Sequence, residues 1–138
     1  MGGWSLHKRG NTEYVSYVVI VSKLAQQTGE HVKTKVLESN QGRHSLTLTR
    51  QGMHFISVHA ESGGDLAARD CRASQMQYLA RAHERVGGGA CLLAGDFNLR
   101  QGEDRVLLQE GWRDSACQFF DVDGNDEWTW SRLSLIHI

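Results

Sequence analysis

The chain has few cysteines, almost no net charge and no long hydrophobic run, and each shortage excludes a class of protein. Its three cysteines are odd in number and lack metal-ligand spacing, which predicts reduced, buried or half-buried thiols. The net charge of −1 excludes the broad basic surface of a non-specific nucleic-acid binder, so any nucleic-acid contact must be local. No run reaches the length of a transmembrane helix, and the N-terminus lacks the hydrophobic region of a signal peptide. We therefore expect an intracellular protein, nuclear in a eukaryote and otherwise cytoplasmic.

Two stretches resemble known ligand-binding loops but do not match their residue patterns. The run Gly87-Gly88-Gly89 is not followed by Gly-Lys-Ser/Thr, so it indicates a helix end and linker rather than a phosphate-binding loop. In the acidic stretch 121–126 glycine stands fourth instead of sixth, which favours a surface turn over a calcium loop. The length of 138 residues, with 40% hydrophobic and 22% charged residues, allows one soluble domain at most.

A short apolar stretch followed by alternating polar residues forms the centre of the sequence. Residues 90–94 are small or apolar and too few for a helix, so they predict a fully buried strand that stops at Gly95. Asp96, Asn98 and Arg100 follow at strand spacing, which would turn their side chains to one side. A site built at the carboxyl end of a buried strand is one interpretation. The other is a polar turn in which Asp and Asn bond their own backbone.

A second polar cluster follows another predicted strand. Residues 53–59 alternate and run into His59-Ala60-Glu61-Ser62. A helix over residues 66–86 separates the two strands, and a strand–helix–strand unit brings both polar ends to one edge of a sheet. A lone histidine is more often a core or turn residue, but two polar clusters at strand ends favour a functional site.

The helix and the remaining strands complete the sequence-based expectation. Asp65 should cap the helix, whose apolar stripe comprises Leu66, Met76, Leu79 and Val86 with Ala73 and Ala82. Arg69, Arg81 and Arg85 lie off that stripe and indicate a solvated face rather than a DNA-binding patch. Residues 14–21 and 32–37 predict strands, and residues 45–49 should pair with 53–58 as a hairpin in which Gly52 has a positive φ. Residues 1–13 show no period and predict irregular structure.

These motifs resemble the endonuclease/exonuclease/phosphatase superfamily of metal-dependent phosphodiesterases. Gly95-Asp96-Phe97-Asn98 is the pattern shared across the superfamily, and His59-x-Glu61-Ser62 with the Leu99-Arg100 extension is closest to the 5′-tyrosyl-DNA phosphodiesterase branch. Lesser similarities to the same family occur in Arg72-x-x-Gln75, Thr129-Trp130, Tyr17-Val18-Val19-Ile20-Val21 and Ser39-Asn40-Gln41-Gly42-Arg43. The resemblance covers residues 14–131 and implies the central part of a DNase-like α/β layered sandwich.

The resemblance also implies roles for individual residues in Mg²⁺-dependent hydrolysis, with Mn²⁺ as an alternative ion. Asp96 would position and deprotonate the attacking water, and Asn98 would hydrogen-bond the water or the phosphate. His59 and Ser62 would donate to phosphate oxygens, and Glu61 of the same motif would belong to the substrate-binding residues. Arg100 would contact the nucleic-acid strand, and Trp130 could stack on the substrate, although ordinary core packing is equally compatible with its sequence. The implied substrate is a DNA end that carries a 5′-linked tyrosine.

Two motifs of the family are missing from the chain. A metal-binding Leu-Gln-Glu should lie upstream and a Ser-Asp-His near the C-terminus, and neither is present, so the resemblance implies that the metal ligands lie outside these 138 residues. Alternatives that stay open are another superfamily substrate (an abasic site, an inositol phosphate or sphingomyelin) and a non-catalytic binding domain on the same fold.

The last six residues of the chain need a separate explanation. Residues 133–138 read Leu-Ser-Leu-Ile-His-Ile, the translation of the DNA string CTGTCTCTTATACACATC, which is a transposon end used in sequencing libraries. We expect this tail to be read-through rather than evolved structure, with the natural protein continuing after about Ser131.

Overall fold

The computed structural model describes residues 5–11, 16–22, 30–114 and 134–137. These residues contain two β-sheets and three helices. A two-stranded sheet has the order β1-β2, and a six-stranded sheet has the order β3-β4-β5-β6-β8-β7. The strands are β1 Ser5–Asn11, β2 Ser16–Ser22, β3 His31–Val36, β4 His44–Arg50, β5 Met53–His59, β6 Ala90–Asp96, β7 Arg113–Asp114 and β8 Ser134–His137. The helices are α1 Leu66–Ala80, α2 Ala82–Arg85 and α3 Arg105–Gln109.

The predicted hairpin is confirmed as β4 and β5. The strands are antiparallel and joined by Gln51 and Gly52, whose φ angles of 49° and 74° are both positive. Two central residues with positive φ match the right-handed twist of the flanking strands, which explains why so short a connection is used. The hairpin sets the register that carries His59 to the far end of β5.

Alternation along this hairpin separates two layers. Leu46 and Leu48 are buried on one face of β4, and the two-stranded sheet of β1 and β2 contacts β4 and β5. On the opposite face Ile56 and Val58 belong to the core cluster that includes the α1 residues Met76 and Leu79. A sheet covered by a second sheet on one side and by helices on the other is a layered α/β sandwich, so the predicted fold class is confirmed.

Helix α1 connects the parallel strands β5 and β6 and packs on the sheet as predicted. The Asp65 carboxylate accepts a hydrogen bond from the Ala68 amide at 2.8 Å and so caps the helix. Met76 and Leu79 are both fully buried, whereas Leu66 is 71% exposed and Ala73 is also exposed. The prediction was wrong for Leu66 because, at about 100° per residue, it lies roughly 130° from the centre of the buried face.

Strand β6 is less enclosed than its apolar composition predicted. Cys91 and Leu93 are buried, but Ala90 is exposed and Leu92 is half-buried. The described part of the second sheet packs over β4 and β5 rather than β6, so only one face of β6 is fully covered. Cys71 and Cys91 are buried free thiols, and burial raises the pKa of each, as expected for reduced structural cysteines; Cys117 lies outside the described residues.

Two stretches that carried little predicted structure contain strands. Irregular structure was the wrong expectation for residues 5–11, which form β1 and pair with β2 from Ser5↔Ser22 to Asn11↔Ser16. β2 contributes a β-branched strand, and its partner needs only backbone groups to complete the ladder. In the tail, β8 pairs with β6 and β7. Any sequence can supply such backbone bonds, so the origin of residues 133–138 and the domain range 14–131 stay predictions.

No helix among the described residues is long and apolar enough to cross a membrane.

The core position of α1 can be tested by truncating its buried side chains. Met76→Ala and Leu79→Ala should each lower the free energy of unfolding of the 138-residue chain by about 2–5 kcal/mol, because each leaves a cavity under the sheet. Leu66→Ala is the matched control and should change the free energy of unfolding by less than about 0.5 kcal/mol, since its side chain is mostly solvated. Urea titration followed by circular dichroism measures all three. A loss at Leu66 as large as at Leu79 would contradict the orientation of the helix.

Candidate active site

The polar ends of β5 and β6 meet at one edge of the sheet. The strands are parallel with His59 opposite Asp96, and the amide of Ala60 donates to the Asp96 carbonyl at 2.8 Å. Gly95 makes this approach possible, because a Cβ at that position would lie 1.9 Å from the Val58 carbonyl oxygen, and its φ is +142°. The glycine of the Gly95-Asp96-Phe97-Asn98 motif is therefore required by the backbone packing.

Asp96 and His59 face each other across this edge. The carboxylate oxygen Oδ2 lies 4.0 Å from the ring nitrogen Nε2, and the two side chains are 49% and 32% exposed. β6 ends at the rim of the sheet, and the Asp96 side chain is open to water there.

Asn98 lies at the same edge but not because of strand alternation. β6 ends at Asp96, and Asn98 has a φ of +50°, so the period of two does not extend to residues 98 and 100. Its amide N–H donates to Asp96 Oδ1 at 3.0 Å, and its side-chain nitrogen donates to the Ala60 carbonyl at 3.0 Å. The sequence was compatible either with a cluster of polar side chains after β6 or with a polar turn there. The structure has both, because the turn at Asn98 keeps its side chain at the same edge as Asp96.

Arg43 lies at the centre of the cluster, although the sequence assigned it no role. Its guanidinium nitrogen Nη1 lies 2.9 Å from Nδ1 and 3.0 Å from Nε2 of His59. The other nitrogen, Nη2, donates to Gln41 Oε1 at 2.6 Å and to Ser62 Oγ at 3.1 Å. The side chain is buried, and burial lowers the pKa of Arg43 while Glu61 and Asp96 oppose the shift. Arginine remains a cation under these conditions, so one buried positive charge holds His59 and Ser62.

The charge of Arg43 affects the titration of His59. Burial lowers the pKa of His59 below its ordinary value of 6.5, and the neighbouring Arg43 lowers it further, against the opposing effect of Asp96. A guanidinium can only donate, so one of the two ring nitrogens that it contacts must carry a lone pair. His59 is therefore neutral near pH 7 and acts through a neutral N–H or a lone pair.

Ser62 and Glu61 have different environments despite being neighbours. Ser62 bonds Gln41 through both its hydroxyl, at 2.8 Å, and its amide, at 3.2 Å, which joins the loop after β5 to the loop before β4. Glu61 is 1% exposed and accepts a hydrogen bond from the Ser39 hydroxyl. Its amide donates to Gln75 Oε1 at 2.9 Å. Direct substrate contact by Glu61 does not fit this burial; its side chain holds the loop before β4 in place.

A buried ion pair fixes the two loops that carry the site. Arg72 is 1% exposed and donates to both oxygens of Glu103, at 2.8 and 3.0 Å, and to the carbonyl of Gly63 at 2.8 Å. Glu103 also accepts from the Arg100 amide at 3.0 Å. Burial raises the pKa of Glu103, but the hydrogen bonds from Arg72 and Arg100 outweigh it and hold the pKa below its usual value. The exposed Arg100 guanidinium lies beside Gly64.

The sequence contained a signal for the residues that it failed to assign. Gly42, with a φ of +64°, precedes Arg43 at the entrance to β4, so the Gly-Arg turn noted as a resemblance is the device that places the cation. The Arg72-x-x-Gln75 pair was likewise noted without a role, and both side chains are buried against the loop after β5. Trp130 lies outside the described residues.

Within the described ranges no group of three or more histidine, cysteine, aspartate or glutamate side chains could hold a metal ion. Asp96 has open oxygens at the edge, whereas Glu61 is buried and bonded to Ser39. The described residues therefore do not fit a complete metal site.

The layered sandwich with two polar strand ends at one edge is the fold of the endonuclease/exonuclease/phosphatase type. The chain is similar to the 3′–5′ exonuclease NExo from Neisseria meningitidis, with a TM-score of 0.69 and 20% identity over 98% of this chain and 67% of that one. It is also similar to D. rerio TDP2 complexed with a single-strand DNA product (TM-score 0.67, 15% identity, 96% of this chain and 60% of that one). Truncated Caenorhabditis elegans TDP2 gives a TM-score of 0.62 at 16% identity, over 97% of this chain and 62% of that one.

These similarities confirm the fold expected from the motifs. At 15–20% identity they concern the fold alone, and the chain spans 60–67% of the length of the three structures. No protein-family model and no curated protein sequence matches the chain.

The neutral state of His59 predicts a pH dependence of stability. Because its pKa in the folded protein is below the ordinary 6.5, the stability that it contributes is fully present above that value and is lost as the pH falls through the folded-state pKa. Between about pH 7.5 and about pH 5.5 the wild-type chain should lose more free energy of unfolding than His59→Gln, whose side chain does not titrate. His31→Gln, at an exposed position of β3, is the control and should keep the wild-type dependence. Equal losses in wild type and His59→Gln, measured by urea titration at both pH values, would refute the prediction.

Proposed function

We propose that the protein to which this chain belongs hydrolyses a phosphodiester, specifically the linkage between tyrosine and a 5′ DNA end. The observation that carries the proposal is the register of β5 and β6, which brings His59, Asp96 and Asn98 to one open edge of the sheet. In-line phosphoryl transfer needs a group that positions the nucleophile and donors that neutralise the phosphate oxygens. The edge holds both kinds of group within a few ångströms.

Asp96 would position and deprotonate the attacking water. Its carboxylate is half-exposed, and one oxygen is already oriented by the Asn98 amide at 3.0 Å, so the geometry of the carboxylate is set before substrate binds. Asn98 is itself held by the Ala60 carbonyl and presents an uncharged donor to the water or the phosphate.

His59 and Ser62 would donate to the phosphate, with the charge of Arg43 behind them. Arg43 touches both side chains, so its positive charge favours the anionic substrate at the point where these donors converge. Arg100, exposed beside Gly64, would contact the nucleic-acid strand next to the scissile group. The buried charge of Arg43 supplies a local positive potential at this edge, and the chain has no need of a broad basic surface.

The divalent ion belongs to the part of the protein that this chain does not contain. A bound Mg²⁺, or Mn²⁺, would supply Lewis-acid neutralisation of the phosphate and leaving oxygens. We propose that its ligands are the upstream Leu-Gln-Glu and downstream Ser-Asp-His motifs of the family, since the described residues do not hold a metal by themselves.

The similar structures support this proposal and one rival. TDP2 complexed with single-strand DNA product favours a DNA end as the substrate. NExo, an exonuclease and also a 3′ phosphatase bound to product DNA hairpin, is similar at a comparable TM-score and favours hydrolysis at a 3′ end as the alternative. The flanking coding sequence separates these enzymes from a non-catalytic binding domain, because only an enzyme needs both missing motifs.

The proposed roles predict the effect of two substitutions in the full-length protein. Asp96→Asn should reduce turnover of a 5′-tyrosyl oligonucleotide by about 10²–10⁴-fold, because the amide is nearly isosteric but accepts no proton. Asn98→Ala should reduce it by about 10²–10³-fold through loss of a positioned donor. Asp70→Asn, at an exposed position of α1, removes the same charge away from the edge and should retain wild-type turnover.

The substrate assay distinguishes the proposal from its rivals. If Asp96→Asn works within a few-fold of wild type, the stretch after Gly95 is only a turn. Selective hydrolysis of a 3′-phosphorylated oligonucleotide would instead favour the alternative.

The 138-residue chain alone should be inactive. Both proposed metal-binding motifs lie outside it, so the edge that carries Asp96 and His59 lacks an ion. Tyrosine release from a 5′-tyrosyl oligonucleotide in the presence of Mg²⁺ measures this directly, with the full-length protein as the positive control. Robust release by the short chain would contradict the proposed position of the metal ligands.

A further inference from the structure

A second groove lies on the helix-covered face of the main sheet and runs along β4 from Ser45, opposite Val58, to Thr49, opposite His54. It encloses about 540 Å³ between β3, β4 and β5 on one side and α1 and α2 on the other. The far end of the groove lies at His54, five residues before His59 on β5, which corresponds to a separation of roughly 17 Å along the strand. A volume of this size suits a small ligand or a short segment of a polymer.

The floor and helical wall of the groove include the apolar residues Ile56, Leu79, Ala82 and Val86, and the charged residues and hydroxyls lie on the strands and at Arg85. Along β3 and β4 the side chains of one face alternate into it, with His31 opposite Thr49 and Lys33 opposite Thr47. Arg85 lines the helical wall. Among the described residues the lining includes no carboxylate, so its charge is uniformly zero or positive although the whole chain carries −1.

On the strand wall of the groove, polar residues take positions that are hydrophobic elsewhere on the same face of the sheet. Further across the sheet the same face carries Ile56, Val58 and Leu93, which pack beneath Leu79. On β3 and β4 the corresponding positions change to histidine, lysine, threonine and serine, which face the helical wall across the groove.

The helical wall holds its cation in a defined position. The Arg85 guanidinium stacks on the ring of Tyr78 at 3.6 Å from the centroid and donates to the Tyr78 carbonyl. Lys35 lies 5.7 Å from the same ring centroid. His54 is fixed between the Thr49 hydroxyl, at 2.9 Å, and the Gly88 carbonyl, at 3.0 Å. A preorganised side chain loses less entropy when it binds a ligand.

Lysines on an edge strand also have a simpler explanation, because they discourage pairing with another chain. β3 is the edge of its sheet, so Lys33 and Lys35 could serve that purpose alone. That explanation does not account for Arg85 on the helical wall, for the row of hydroxyls on β4, or for the concave shape. Cations and hydroxyls converging in a groove without acids are the chemistry that binds phosphate oxygens.

We infer that this groove, lined by Lys33, Thr47, Thr49 and Arg85, is a second binding site, separate from the candidate active site, for a phosphate-bearing anion. The ligand chemistry is a chain of phosphate groups, from a nucleotide polyphosphate or from the backbone of a nucleic-acid strand. Arg85 is thereby distinguished from Arg69 and Arg81, which remain on the solvated face of the helix.

Titration of the isotopically labelled 138-residue chain with inorganic triphosphate tests the inference by nuclear magnetic resonance. Amide shift changes should cluster at Thr47, Thr49 and Gly88 rather than in the loop 59–64. Lys33→Glu and Arg85→Glu should each weaken binding by about fivefold or more, since each reverses a charge at the ligand. Arg113→Glu, an exposed position in β7 at the opposite edge of the same sheet, makes the same charge change and should stay within about twofold.

A milder variant and a DNA probe complete the test. Lys33→Gln, at an exposed strand position, guards against misfolding of the charge-reversed variants and should weaken triphosphate binding by about two- to fivefold. A fluorescein-labelled single strand of about 12 nucleotides identifies the source of the phosphates: loss of its binding in Lys33→Glu indicates a nucleic-acid backbone, and unchanged DNA binding with weakened triphosphate binding indicates a nucleotide. Shift changes confined to the loop 59–64, no binding of either probe, or equal weakening by Arg113→Glu would overturn the inference and leave β3 with its edge-protecting role.

Discussion

The close approach of β5 and β6 at Gly95 is the constraint on which the rest of the site depends. Because a Cβ would lie 1.9 Å from the Val58 carbonyl oxygen, only glycine lets the two parallel strands keep their pairing to the last residue. That pairing places His59 opposite Asp96 and lets the Ala60 amide bond the Asp96 carbonyl. The chemical groups at the sheet edge are therefore positioned by a backbone contact, not by contacts among themselves.

Around this edge the side chains are held by two buried arginines with different tasks. Arg43 concentrates positive charge where His59 and Ser62 converge. Burial, and then the proximity of Arg43, lower the pKa of His59 and keep it neutral. Arg72 binds Glu103 through two hydrogen bonds and ties the loop after β5 to the loop after β6. One cation supplies an electrostatic field and the other supplies rigidity, and both depend on anionic or carbonyl partners because a buried charge without them would be costly.

The same sheet carries the second groove along β3 and β4, and the lining of that groove follows from an alternating pattern. Odd-numbered positions of β3 and β4 and even-numbered positions of β5 share a face. On β5 and β6 that face carries the core residues Ile56, Val58 and Leu93, and on β3 and β4 it carries cationic or hydroxylic residues. A phosphate-bearing ligand at the groove and a phosphodiester at the edge would both be bound without a broad basic surface, consistent with the net charge of −1.

Local patterns in the sequence determined the hairpin at Gln51 and Gly52, the capped helix with Met76 and Leu79 inward, and the strand–helix–strand unit that joins the two polar clusters. These follow from turn conformations and side-chain periods, which act over a few residues. Only the tertiary structure decided that Arg43 contacts His59, that Glu61 is buried, that Asp96 is open to water and that residues 5–11 form a strand. The reason is physical: contacts between residues far apart in the chain depend on sheet register and on which surfaces the other layers cover, and neither is encoded in any short stretch.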